Sequence, residues 1–178
     1  MKAALTTTLT LATTFLVLAL LATPAVSQTA SAEEIGIPNE KHPEPGILFG
    51  GQPTAAHVAA MAKAGYKTII DLRSEGEDRG FDEPSVVEKA GMRYVAIPVD
   101  GDRLKQAATY ESFFKEFGKA EKPVVVHCAS GNRVGGLYYA WLVNHEGVAP
   151  EKALAIAKEQ GLRSEAIKEA VDNFSPKH

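Results

Sequence analysis

One stretch of the sequence gathers the groups that nucleophilic chemistry on an anion requires: His127-Cys128-Ala129-Ser130-Gly131-Asn132-Arg133-Val134-Gly135. It follows the apolar run Pro123-Val124-Val125-Val126, and a helical pattern begins after it. A loop that closes in front of a helix start turns several backbone N–H groups toward one point, and with the helix dipole they form an anion cradle. Gly131 lets the chain turn tightly inside that loop. Around the sulfur of Cys128, the same cradle and the nearby guanidinium of Arg133 favour the thiolate over the thiol. A thiolate facing an anion site is a nucleophile for an oxyanion substrate. The competing view, a small buried cysteine at a strand end beside a solvated arginine, leaves the joint offsets of Gly131 and Arg133 unexplained. His127 either orients the loop by hydrogen bonding or fills a core position with a satisfied ring.

The elements that must position this loop are readable around it. Ile47-Leu48-Phe49 is a short apolar run ended by Gly50-Gly51, and Thr54 caps a helix reaching about Ala64. Residues 68–72 and 93–97 have the β-branched, short character of strands, and 123–127 is apolar without interruption, as in a strand covered on both faces. Helices are expected from Glu83-Pro84 to Ala90, from about Gln106 to Ala120, and near 134–146, 150–160 and 164–173. Tyr110, Phe113, Phe114 and Phe117 are spaced for one buried face, and Tyr138, Tyr139 and Trp141 read as core as well. Strands alternating with helices predict an α/β fold with a mainly parallel central sheet flanked by helices, and a ligand site beyond the carboxyl ends of the strands.

The chain has 178 residues, 45% hydrophobic and 23% charged, with a net charge of −3, the balance of a globular protein. That charge offers no basic footprint for nucleic acid or an anionic membrane face. Cys128 is the only cysteine, so no intramolecular disulfide and no cysteine-rich zinc site can form. His57, His145 and His178 are too scattered to suggest a metal, and neither metal nor cofactor is expected. Residues 1–27 run from Lys2 through an apolar stretch to Ala25-Val26-Ser27, the order of a cleaved secretory signal. The expected cut follows Ser27, with Ala32 second, giving an exported chain without stable membrane insertion. Residues 28–46, with three prolines, read as an extended lead-in, leaving 47–174 as the domain. The acidic run from Glu75 to Glu83 reads as a solvated loop, and Asp71 with Arg73 as a structural ion pair or loop anchor.

From Ile47 to Phe174 the chain resembles the cysteine-dependent superfamily of tyrosine and dual-specificity phosphatases. Within it, the chain is most similar to the bacterial phosphatase-like domain of beta-lactamase-hydrolase-like proteins. The segments that carry the likeness are Gly51-Gln52-Pro53-Thr54, Ile69-Ile70-Asp71-Leu72-Arg73, Tyr94-Val95-Ala96-Ile97-Pro98-Val99 and the His127-Cys128 loop. The resemblance implies a dual-specificity-phosphatase-like fold, Cys128 as nucleophile, Arg133 as phosphate ligand, residues 129–132 as the anion cradle and Asp100 as general acid. Asp100 lies 28 residues before the cysteine, and Asp102, two residues on, is an alternative acid. On turn chemistry alone, Asp100-Gly101-Asp102 is equally a simple turn.

Two departures bear on activity. The superfamily usually has five residues between cysteine and arginine, where this chain has the four residues Ala129 to Asn132. It usually has a serine or threonine after the arginine, where this chain has Val134. The shorter ring resembles that of rhodanese-type sulfurtransferases, in which it cradles a persulfide. The leading expectation is therefore phosphoester hydrolysis through a phosphocysteine, followed by sulfur transfer through a Cys128 persulfide, and then an anion-binding module without turnover. The partner is accordingly a phosphorylated or sulfur-carrying small molecule or protein.

Overall fold

Three short runs rich in aliphatic residues and a fourth, more polar one form parallel strands: β1 (Ile47–Gly50), β2 (Thr68–Asp71), the more polar β3 (Arg93–Ala96) and β4 (Val124–His127). They form one sheet in the order β1-β4-β2-β3, with Gly50, His127, Asp71 and Ala96 level at the carboxyl end. The computed structural model describes residues 34–176; the expected signal and its cut, and His178, lie outside them. Among the described residues no helix is long and apolar enough to cross a membrane.

Side chains leave a strand alternately to its two faces, and the sequence uses both. Leu48, Ile69 and Val125 pack with Val58, Met61 and Val87 of α1 (Ala55–Lys63) and α2 (Glu83–Lys89). Phe49, Ile70, Val124 and Val126 pack on the opposite face with Tyr110, Phe113 and Phe117 of α3 (Ala107–Lys119) and with Leu137 and Tyr138 of α4 (Asn132–Asn144). Phe113 and Phe117 stack at 5.1 Å, and Phe49 meets Tyr138 edge-on at 5.0 Å. Fully burying one such side chain stabilises by about 1.5–3 kcal/mol. Helices α5 (Pro150–Glu159) and α6 (Glu165–Phe174) close over α4.

Thr54 caps α1 as its sequence position predicts, in a reciprocal pairing with His57. Helix α4 starts at Asn132, two residues before the apolar pattern suggests, because Gly131 (φ 81°) turns the chain directly into the helix. A 3-10 turn at Arg103–Lys105 is new relative to the sequence reading and is held by Asp100. The segment before β1 does more than lead in. Ile37 is buried against Gly50, Lys41 pairs with Phe49, and the Glu40 carboxylate gathers the N–H groups of Ile35, Gly36 and Ile37.

Candidate active site

At the carboxyl end of β4 the chain passes from sheet to loop, and Cys128, 1% exposed, faces the α3/α4 side. The Gly131 N–H donates to Cys128 Sγ at 3.1 Å, so the loop folds back on the sulfur. This needs the left-handed backbone that glycine adopts without strain. The outer side of the loop is pinned from three directions. Gly51 bridges Ser130, and the Gln52 N–H reaches Ala129 O at 3.3 Å. Arg163 Nη2 donates to Ser130 O at 3.0 Å, while the N–H groups of Arg163 and Ser164 converge on Asn132 Oδ1 at 2.8 and 3.2 Å. Asn39 Nδ2 also reaches Ser130 O, at 3.3 Å. Close packing of Gly161-Leu162 on α4 favours a glycine at 135, where a Cβ would come within 2.3 Å of the Leu162 nitrogen.

Arg133 is held from behind. Its Nη1 donates to Glu77 Oε1 at 2.6 Å and Val99 O at 2.8 Å, and its Nη2 to Glu77 Oε2 at 2.8 Å. A guanidinium fork has five donors, and on its other side Arg133 meets Cys128. The hydrogen-bonded pair pushes Arg133 above its ordinary value, with the neighbouring Cys128 adding to the shift, and drives the Glu77 carboxyl far below the usual carboxylate range. The acidic run is thus not simply a solvated loop: Glu77 orients the site arginine, and Glu83 is fully buried.

Asp100 lines a cavity of about 480 Å³ together with Val99, Leu104, Ser130, Asn132 and Arg133, and α6 supplies the facing apolar wall. The carboxylate accepts the N–H groups of Arg103 at 2.8 Å and Asp102 at 3.0 Å, and Arg103 Nη1 at 2.9 Å. The Arg103 N–H first, then these neighbours, lower its pKa below the ordinary 3.8. Asp102 is not among the cavity residues and pairs only loosely with Lys105, at 3.6 Å. A cavity of about 510 Å³ along the free edge of β3 contains none of the loop residues.

Two expectations need correction. Arg73 forms no ion pair with the Asp71 side chain and serves instead as a loop anchor, the other expectation for it. Its side chain binds Gln52, Glu77 and the Asp78 carbonyl, while Asp71 takes Arg79 at 2.7 Å and the Arg73 N–H at 2.7 Å. His127 neither bonds to the loop nor has a satisfied ring. It leaves β4 on the α1/α2 side, and among the described residues both ring nitrogens lack a hydrogen bond although Nε2 lies 2.8 Å from Glu83 Oε1.

With this geometry in place, comparison with known proteins is decisive for ancestry. Residues 20–173 match the family described as DSP-PTPase phosphatase fused to NAD+ kinase. The chain belongs to that family. It is 35% identical over 96 residues to a beta-lactamase hydrolase-like protein of Agrobacterium fabrum, covering 52% of this chain and 22% of that one. It is 29% identical over 98 residues to the dual specificity protein phosphatase TpbA of Pseudomonas aeruginosa, covering 54% and 42%. The matched stretch is thus less than half the length of these curated relatives. A cysteine variant of TpbA in complex with phosphotyrosine superposes with TM-score 0.62 at 20% identity, covering 82% of this chain and 90% of that one. The core catalytic domain of the PP-IP phosphatase SIW14 from S. cerevisiae gives 0.64 at 13% identity, covering 78% and 87%. The fold is that of the dual-specificity phosphatases, and the family is one of cysteine-dependent phosphatases acting on phosphoesters.

Proposed function

We propose that the chain hydrolyses phosphate monoesters through a phosphocysteine, with Arg133 and Asp100 lining the cavity of about 480 Å³ and Cys128 buried in the loop beside Arg133. The observation that carries this reading is the pairing of a loop N–H on Cys128 Sγ with an arginine already braced by Glu77. Phosphoryl oxygens would take the Arg133 guanidinium and the N–H groups of residues 129–132, where negative charge grows in the transition state. Cys128 Sγ attacks phosphorus, the ester P–O bond breaks, and the departing oxygen takes its proton from the Asp100 carboxyl. Water then attacks phosphorus and gives its proton to the Asp100 carboxylate. The P–S bond breaks and inorganic phosphate leaves.

The four-residue ring, together with the apolar Val134 where the superfamily has a hydroxyl, supports sulfur transfer as the second reading. There Cys128 takes the outer sulfur of thiosulfate as a persulfide, releases sulfite, and passes the sulfur to cyanide, with no acid required. Parallel assays of aryl phosphate hydrolysis and thiosulfate-to-cyanide transfer decide between them. Phosphate release that is lost in Cys128→Ser supports hydrolysis. Thiocyanate formation alone overturns it, and binding of both anions without turnover reduces the protein to an anion-binding module. Export rests on the order of residues 1–27 and predicts a secreted or periplasmic chain beginning at Gln28 by intact mass.

A further inference from the structure

Behind the nucleophile, on the α1/α2 side of the sheet, three ionisable side chains converge out of reach of water. Asp71, Glu83 and His127 are each 0% exposed, and one donor atom from each lies within 4.8 Å of the other two. His127 Nε2 is 2.8 Å from Glu83 Oε1 and 3.8 Å from Asp71 Oδ1. The outer carboxylate oxygens are held from elsewhere. Asp71 Oδ2 accepts Arg79 Nε at 2.7 Å and the Tyr94 hydroxyl at 2.6 Å, and Glu83 Oε2 accepts Gln52 Nε2 at 2.8 Å. Asp71 Oδ1 takes the Arg73 N–H, but Glu83 Oε1 and His127 Nε2 face each other with no hydrogen bond to either.

Buried polar atoms left in this state are costly, and two carboxylates stand against the guanidinium of Arg79, which also lies 3.8 Å from Glu83 Oε2. We propose that Asp71, Glu83 and His127 form a structural binding site for a divalent cation of the zinc class. Two ligands each about 2.1 Å from one ion can stand up to about 4.2 Å apart, so the 2.8 and 3.8 Å separations from His127 Nε2 are compatible with a shared centre, and the Asp71–Glu83 pair lies within 4.8 Å. A mixed nitrogen and carboxylate set selects a first-row metal over calcium or magnesium. Outer oxygens anchored by Arg79, Tyr94 and Gln52 are the kind of support that orients ligating carboxylates. The ion would tie the end of β2, the end of β4 and the start of α2 together under the nucleophile loop. It takes no part in bond making, so the site stands whether the loop hydrolyses phosphoesters or not.

Because the group is fully enclosed, loading belongs to folding, and the test uses refolding. Full-length protein carrying Cys128→Ser, which removes the competing thiol ligand, is unfolded and refolded with ZnCl₂, with CoCl₂ or with EDTA. The expected result is about one metal per chain after desalting and a visible cobalt absorption band of low-coordinate geometry. The zinc sample should melt at least about 5 °C above the EDTA sample. Glu83→Gln and His127→Asn should each lose the bound metal; if either fails to fold, the cobalt spectrum and melting shift of the Cys128→Ser chain still decide. Less than a tenth of an equivalent of metal with identical melting, or equal metal in the folded ligand variants, overturns the proposal. So does nitrogen NMR showing His127 doubly protonated in the zinc-refolded sample.

Discussion

Removing the charge of Glu77 while keeping its shape, as in Glu77→Gln, separates the bracing of Arg133 from every group that would touch substrate. Two charge-assisted hydrogen bonds join the pair, at 2.6 and 2.8 Å. Such bonds contribute about 1.5–3 kcal/mol each when well shielded. The Glu77 side chain is 26% exposed and its partner 16%, and the amide still accepts one bond, so a loss of about 2 kcal/mol for the pair is expected after solvent screening. The sign of its pH dependence follows from the depressed Glu77 carboxyl. A carboxylate with a lowered folded-state pKa stabilises fully above its ordinary value of 4.5, and the contribution drains away as pH falls through the folded value. Urea unfolding of wild type and variant should therefore differ by about 2 kcal/mol at pH 7 and progressively less in acid. Arg133 would then be held by Val99 O, Leu72 O and one weaker bond to the amide, and misplacement of such a group costs about 10²-fold in turnover. Equal stability at pH 7, a stability gap that is constant into acid, or unaltered turnover would refute the bracing argument.

Asp100→Asn should lower hydrolysis of alkyl or tyrosyl phosphates by roughly 10²–10⁴ and of activated aryl phosphates much less; equal loss on both classes removes Asp100 as the acid. Because Asp100 is held below its ordinary 3.8, the poor-leaving-group reaction of wild type should rise steadily as pH is lowered through the neutral range, and a flat profile counts against the assignment. Gly131→Ala meets no close atom, the nearest being Gly50 C at 3.7 Å, but must hold φ near 81°. It should cost about 1–2 kcal/mol from backbone strain. Gly135→Ala, with an ordinary helical position but a 2.3 Å clash with the Leu162 nitrogen, should cost about 1–3 kcal/mol from overpacking. Thermal unfolding of both checks these figures, and a neutral Gly135→Ala would show that the α5–α6 connection yields freely.

The sheet was legible because most of its strands are short aliphatic runs set off by glycine and proline, and the triple valine of β4 does lie between two neighbours. The nucleophile loop was legible because anion chemistry forces glycine, cysteine and arginine into one short stretch. Glu83 and Arg79 were not. They sit among charges that ordinarily face solvent, and only the sheet register, which sets Asp71 beside His127, shows that this stretch folds inward. Glu77 was hidden for the same reason: its partner Arg133 is distant in sequence, and nothing local distinguishes it from Glu75. Asp100 illustrates the reverse limit. A turn-forming Asp-Gly-Asp and a general acid have the same sequence, and the structure shows the residue in a turn, capping the 3-10 segment, while also lining the cavity.

Consecutive residues of β4 leave on opposite faces, so His127 and Cys128 share a backbone but no side-chain contact surface. Any influence of the buried acidic group on the thiol therefore passes through Gln52, which bonds Glu83 with its side chain and Ala129 O with its N–H, and through the main chain at the end of β4. There, Cys128 N–H is held by Gly50 O at 3.3 Å and the His127 carbonyl by the Leu72 N–H at 2.9 Å. A change at Glu83 should displace the whole loop and weaken anion binding and turnover together. A change at Glu77 acts from the Cys128 side, on Arg133 and on its other partners Arg73 and Ser74, and leaves the Gly131 bond to sulfur in place. Titration of phosphate protection of Cys128 against alkylation separates the two: for Glu83→Gln the alkylation rate without phosphate should itself change, whereas for Glu77→Gln it should stay close to wild type while the phosphate concentration needed for protection rises.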